Sequence, residues 1–130
     1  MGKKVLIVDD DYAFSSFAKR LLEDNGMEAI TASNGKDGLL MAEKEHPSLI
    51  LLDIGMPGMN GYEVLELIKK TAETAQIPVI LCSITKGPRD VEEGMSLGAA
   101  GFIPKPLNPK DSISKIKAIL SGQGGNGNLG

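Results

Sequence analysis

Short apolar runs alternate with amphipathic stretches five times along the chain, and that alternation is the pattern of a parallel sheet covered by helices on both faces. The spacing predicts strands β1 at 4–9, β2 at 28–32, β3 at 48–53, β4 at 78–83 and β5 at 100–104. Helices α1 at 11–24, α2 at 35–45, α3 at 61–73, α4 at 88–97 and α5 at 109–121 fill the intervals. β1, β3 and β4 are unbroken apolar runs, the signature of strands covered on both sides. Glu28-Ala-Ile-Thr-Ala32 and Ala99-Ala-Gly-Phe-Ile-Pro104 are not, so β2 and β5 read as edges, and Pro104 is acceptable only there. Right-handed crossovers then favour the strand order 2-1-3-4-5.

The helix signals differ in strength. Phe14, Phe17, Ala18, Leu21 and Leu22 recur at helical spacing in α1, which opens on Asp11 as N-cap and stops at Asn25-Gly26. Asn108, Pro109 and Asp111 read as the cap, the first-turn proline and the acidic third residue of α5, with Ile113, Ile116 and Leu120 as its buried stripe. α4 is weaker, because Gly94 and Ser96 interrupt a stripe of Val91, Met95 and Leu97. His46 is placed to end α2, where a cation suits the helix dipole, and Cys82 to be a buried β4 side chain.

A chain of 130 residues has room for one domain with a real core. Its 17 acidic and 14 basic residues give a formal charge of −3, without a basic stripe to follow a phosphate backbone, so direct nucleic-acid binding is not expected. One cysteine cannot form an internal disulfide, the start runs directly into a strand, and no apolar stretch approaches the roughly 20 residues of a membrane span. These features point to a soluble, cytoplasmic protein. The Gly/Asn-rich tail at 122–130 carries no pattern and is read as a flexible end to a domain at 1–121.

Four of the strands end in reactive polar groups: β1 in Asp9-Asp10, β3 in Asp53, β4 in Ser83 and β5 in Lys105. In an open parallel sheet, ligands bind beyond the carboxyl ends of the strands, at the point where the strand order reverses, here between β1 and β3. Clustered carboxylates are the ligand set of a hard dication such as Mg²⁺, which would also relieve their mutual repulsion. A lysine and a hydroxyl facing the same place suit an anionic group held beside that metal, and phosphoryl transfer depends on such positioning and charge neutralisation.

On these residues the chain resembles the receiver domains of two-component response regulators over about residues 3–121. The likeness rests on the acidic pair in Val8-Asp-Asp-Asp11, the loop Asp53-Ile-Gly-Met-Pro-Gly-Met-Asn-Gly61, the hydroxyl of Ser83, the aromatic Phe102 and Lys105-Pro106. The resemblance implies a flavodoxin-like doubly wound fold with the same 2-1-3-4-5 order. It implies that Asp53 accepts a phosphoryl group from a sensor histidine kinase or phosphotransfer protein. It assigns Mg²⁺ to the side chains of Asp10 and Asp53 and the Gly55 carbonyl, with Asp9 acting directly or through water. Ser83 and Lys105 would each bind a phosphoryl oxygen. Ser83 and Phe102 would act as the switch, the α4-β5-α5 face would signal to a downstream partner or output domain, and the bond before Pro106 would be cis.

Two rival classes remain in view. An aspartyl-phosphate hydrolase would want an acid-base carboxylate two residues after the nucleophile, where this chain has Gly55. A receiver-like binding scaffold that works without phosphorylation would usually lack part of the acidic set or the lysine, and this chain has all of them. A flavin-binding protein is disfavoured by the absence of tryptophan, with Tyr12 and Tyr62 both at helix starts. The domain is therefore read as a signalling module whose only chemistry is its own phosphorylation and dephosphorylation. Three departures from the family habit stand out: Ile84 where a small residue is usual, the bare Gly55, and Phe102 in place of the commoner tyrosine. Ile84 is expected to sit beside the phosphoryl pocket, narrowing access of water and crowding the path of Phe102.

Overall fold

The computed structural model describes residues 3–56, 58, 60–84 and 88–122. Five strands, β1 Lys4–Val8, β2 Glu28–Ala32, β3 Leu49–Leu52, β4 Val79–Ser83 and β5 Gly101–Pro104, alternate with α1 Tyr12–Asp24, α2 Gly35–Glu45, α3 Gly61–Lys70, α4 Pro88–Ser96 and α5 Pro109–Gly122. All strand pairs are parallel, and the order is β2-β1-β3-β4-β5. This is the flavodoxin-like doubly wound arrangement expected from the edge-like composition of β2 and β5.

The unbroken apolar runs are explained by two cores, one on each face of the sheet. Val5, Ile7, Leu49, Leu51, Ile80 and Cys82 face a core completed by Ala18 and Leu22 of α1 and by Ile113, Ile116 and Leu120 of α5. The alternate residues Leu6, Val8, Ile50, Leu52, Val79 and Leu81 face a second core with Ala42 of α2 and Val64, Leu65 and Ile68 of α3. Each wholly buried Leu or Ile contributes roughly 1.5–3 kcal/mol, and a slip of one residue in any central strand would exchange the two faces. Strand register is therefore set by packing on both sides, and with it the positions of the strand ends.

Several caps fall where the sequence places them. Asp11 accepts the Phe14 N–H at 3.2 Å, Asn108 accepts the Asp111 N–H at 3.0 Å, Gly26 takes φ +83°, and His46 ends α2 with φ +48°. Other features differ. Phe17 is 49% exposed, because α1 buries Ser15, Ala18 and Leu22 and turns Phe17 away from that line. α3 ends at Lys70, three residues earlier than its apolar pattern predicts. Thr71 is extended there, and the hydroxyl of buried Thr74 donates to the Ile68 carbonyl at 2.7 Å, replacing helical bonds with a turn. In α4, Met95 is exposed, and Gly94 is not a defect: it is buried where an added Cβ would strike Leu81. α5 runs one residue past the expected boundary, to Gly122, and the remainder of the expected tail, 123–130, lies outside the described residues.

Candidate metal and phosphoryl site

The site forms where β1 and β3 end side by side. The Asp53 N–H donates to the Val8 carbonyl at 2.9 Å, and the Asp9 N–H donates to the Ala32 carbonyl at 3.0 Å, so the backbone ladder itself carries both acids to the carboxyl edge of the sheet. On the other side, the Lys105 N–H donates to the Ser83 carbonyl at 3.1 Å, which extends the β4–β5 pairing into the loop and brings Ser83 and Lys105 together. The Lys105–Pro106 bond is cis.

Carboxylate oxygens of Asp9, Asp10 and Asp53 lie within 4.8 Å of one another, with Asp9 and Asp53 buried and Asp10 exposed. The Lys105 ammonium donates to Asp9 Oδ2 at 2.7 Å and lies 3.8 Å from Asp53 Oδ1. Asp9 Oδ1 accepts the Asp11 N–H at 2.9 Å, and Asp53 Oδ1 accepts the Gly55 N–H at 3.2 Å. The sequence-predicted Asp9, Asp10, Asp53 and Lys105 are thus in one cluster. Gly55 joins through its backbone, and Ser83 is held beside Lys105 by the ladder. Phe102 is half-buried, opposite Leu81 in the β4–β5 register, and packs against the second core.

Burial raises the Asp9 carboxyl above the usual carboxylate range, and the Lys105 hydrogen bond only partly offsets this. Burial also works against the Lys105 ammonium, but the hydrogen bond to Asp9 and the charges of Asp53 and Asp9 outweigh it and hold its pKa up. A buried acid that resists ionising next to two further carboxylates is a cluster short of positive charge. Three oxygen donors at this spacing fit a hard dication, which would meet that need.

The loop after Asp53 is held tightly. The Gly61 N–H donates to the Ile54 carbonyl at 2.9 Å, and a Cβ on Gly61 would run into the Asp53 carbonyl and Ile54 Cα. Asn60 and Glu63 form a reciprocal capping box that fixes the start of α3 beside it. Ile84, expected to flank the pocket, is 72% exposed.

One contact is absent from the sequence reading. The ring of Phe14, read there only as part of a buried helix face, lies over the Lys105 ammonium at 4.1 Å from its centroid. Nothing in local spacing signals a meeting between the first turn of α1 and the loop after β5.

Comparison with known proteins agrees with this geometry. Residues 5–117 match the response regulator receiver domain family. The chain is 35% identical to protein PilH of Pseudomonas aeruginosa over 119 residues, covering 92% of this chain and 98% of PilH. It is 34% identical to the alkaline phosphatase synthesis transcriptional regulatory protein PhoP of Bacillus subtilis, covering 92% of this chain but 49% of PhoP, so it spans about half the length of that relative. A solved CheY-like response regulator receiver domain protein from Methanospirillum hungatei superposes with a TM-score of 0.87 at 35% identity, over 95% of this chain and 97% of that one. With the fold, the acidic cluster and the paired lysine on one sheet edge, these matches establish that the chain belongs to the receiver domain family of response regulators.

Proposed function

We propose that Asp53 is the phosphoacceptor of this receiver domain and that its modification switches the α4-β5-α5 face. The observation that carries the reading is the convergence of three carboxylates and the Lys105 ammonium at the β1/β3 switch point. An Asp53 carboxylate oxygen attacks the phosphorus of a phosphohistidine on a sensor histidine kinase or phosphotransfer protein. The N–P bond breaks, its electron pair leaves with the imidazole nitrogen, and an acyl phosphate forms. Asp10, Asp53 and the Gly55 carbonyl would hold Mg²⁺, with Asp9 acting directly or through water, and the bound ion would supply positive charge against the phosphoryl oxygens.

Lys105, already 3.8 Å from Asp53 Oδ1, pairs with one phosphoryl oxygen, and the Ser83 hydroxyl donates to another. As Ser83 is drawn in, Phe102 moves inward behind it. The face beside Phe102 holds an apolar groove of about 640 Å³ lined in part by Val91, Met95, Phe102, Ala118 and Ile119, a surface that a partner protein or output domain can read. Moving a 1:99 population to 99:1 takes about 5.5 kcal/mol of differential stabilisation, which new charge-assisted bonds to Ser83 and Lys105 can supply in large part. The domain assignment at 1–121 follows from this reading, as does a cytoplasmic location. No helix among the described residues is long and apolar enough to cross a membrane.

The switch is tested by NMR. Acetyl phosphate with Mg²⁺ should shift the Phe102 resonances and the backbone amides of α4, β5 and α5 in the wild type. It should leave Asp10→Ala, which lacks one metal ligand, unchanged. A wild-type spectrum that does not respond contradicts the proposal.

A further inference from the structure

Phe14 takes no part in the chemistry above, yet its ring is the third group against the Lys105 ammonium, after Asp9 and Asp53. At 4.1 Å from the centroid the electron-rich ring face attracts a cation, and the attraction grows where water is excluded. Water is largely excluded here, since the Lys105 side chain is 15% exposed and that of Asp9 1%. Asp11 ties both neighbours of the ammonium to one short segment. Its N–H donates to Asp9 Oδ1, and its carboxylate accepts the N–H of Phe14. The ring is itself partly buried against the core shared by α1 and α5, which supports it in this position.

A lysine head sits on a flexible four-carbon stem and is strongly hydrated. The hydrogen bond to Asp9 and the charge of Asp53 draw it to the inner side of the site. The ring face adds a third attraction there, and because it accepts no conventional hydrogen bond it leaves the three ammonium protons for Asp9 and for an arriving phosphoryl oxygen. We propose that Phe14 is a positioning residue for Lys105, its ring holding the ammonium between Asp9 and Asp53 ready for the phosphoryl group. This role rests on Asp53 being the acceptor.

Two variants and two readouts test it. Phe14→Leu keeps an apolar side chain and removes the ring, whereas Phe14→Tyr keeps the ring. The first readout needs neither metal nor phosphate: the ring current should move the Lys105 ε-methylene protons upfield in wild type and Phe14→Tyr, and the shift should vanish in Phe14→Leu. The second is the rate constant of phosphorylation by acetyl phosphate at saturating Mg²⁺, which should fall about 2- to 30-fold in Phe14→Leu and recover in Phe14→Tyr. Absence of the upfield shift in the wild type overturns the contact, and this measurement stands even where Phe14→Leu fails to fold. Wild-type labelling with an equally fast Phe14→Leu, or a Phe14→Tyr as slow as Phe14→Leu at matched thermal stability, overturns the positioning role alone. A wild type that takes up no phosphoryl group overturns the Asp53 reading and the role of Phe14 with it.

Discussion

Lys105 bonds to Asp9 rather than to Asp53: its ammonium is 2.7 Å from Asp9 Oδ2 and 3.8 Å from Asp53 Oδ1. In the unmodified protein the lysine therefore serves the most deeply buried acid of the cluster, and it has only a short distance to cross when a phosphoryl group adds negative charge at Asp53. Lys105→Met leaves the Asp9 carboxylate without that partner and should destabilise the metal-free fold by roughly 1–3 kcal/mol in urea unfolding. Asp9 ionises at higher pH in the folded chain than its ordinary value of 3.8. The folded state thus binds more protons between 3.8 and its own pKa, and stability falls as pH rises through that window. Losing Lys105 widens the window, so the deficit of Lys105→Met should be larger at pH 8 than at pH 5. Equal unfolding midpoints at both pH values would show that the pair adds nothing.

Gly61 is required by contact with backbone, not by its dihedral angles. An added Cβ would meet the Asp53 carbonyl and Ile54 Cα, neither of which can rotate away as a side-chain tip can. Gly61→Ala should cost roughly 1–3 kcal/mol, outweighing the modest gain in helix propensity, and should displace the Asp53 loop. At Gly55 the nearest atom to a new Cβ is Asp53 Oδ1 at 4.0 Å, so Gly55→Ala should fold as well as the wild type. Thermal unfolding of the two variants side by side checks the contrast.

Burial pushes the Cys82 thiol up to about 12, with the Lys105 ammonium only partly offsetting it. The unfolded thiol ionises near 9, so between these values the folded chain holds a proton that the unfolded chain has lost. Stability should fall by about 1 kcal/mol per pH unit above pH 9 from this group, and Cys82→Ala should remove that component of the slope. Iodoacetamide should leave Cys82 unmodified in the native protein at pH 8 and label it on unfolding. Rapid native labelling would show the thiol to be accessible.

Ile84, at 72% exposure, has little burial to lose, and Ile84→Ala should change folding stability by less than about 0.5 kcal/mol. Its proposed influence is on access of water to the acyl phosphate, so the variant should release phosphate faster than wild type at fixed Mg²⁺. Equal release rates would leave Ile84 without a shielding role.

What could be read from the sequence follows from the range of the interactions involved. Asp9, Asp10, Asp53, Ser83 and Lys105 are legible because each lies at or within two residues of the carboxyl end of a strand, and that edge of a parallel sheet gathers whatever stands there. Sheet order is legible because Val5 to Val8, Leu49 to Leu52 and Val79 to Cys82 alternate their side chains between two cores, which leaves no charged or hydroxyl side chain within those runs. Phe17 and Gly94 differ from the sequence pattern because helical spacing gives a face but not its rotation or the shape of what it meets, Leu81 in the case of Gly94. The early end of α3 depends on hydroxyl bonds from Thr71 and Thr74 that compete with the helix. The ring of Phe14 over Lys105 depends on tertiary placement alone.

Whether Asp53 accepts the phosphoryl group, and does so only with a metal, is decided by intact-mass analysis after incubation with acetyl phosphate and Mg²⁺. A single phosphoryl mass should be added to the wild type, and it should be absent in Asp53→Ala and absent when the metal is chelated. Labelling of Asp53→Ala to the wild-type extent would rule Asp53 out as the acceptor.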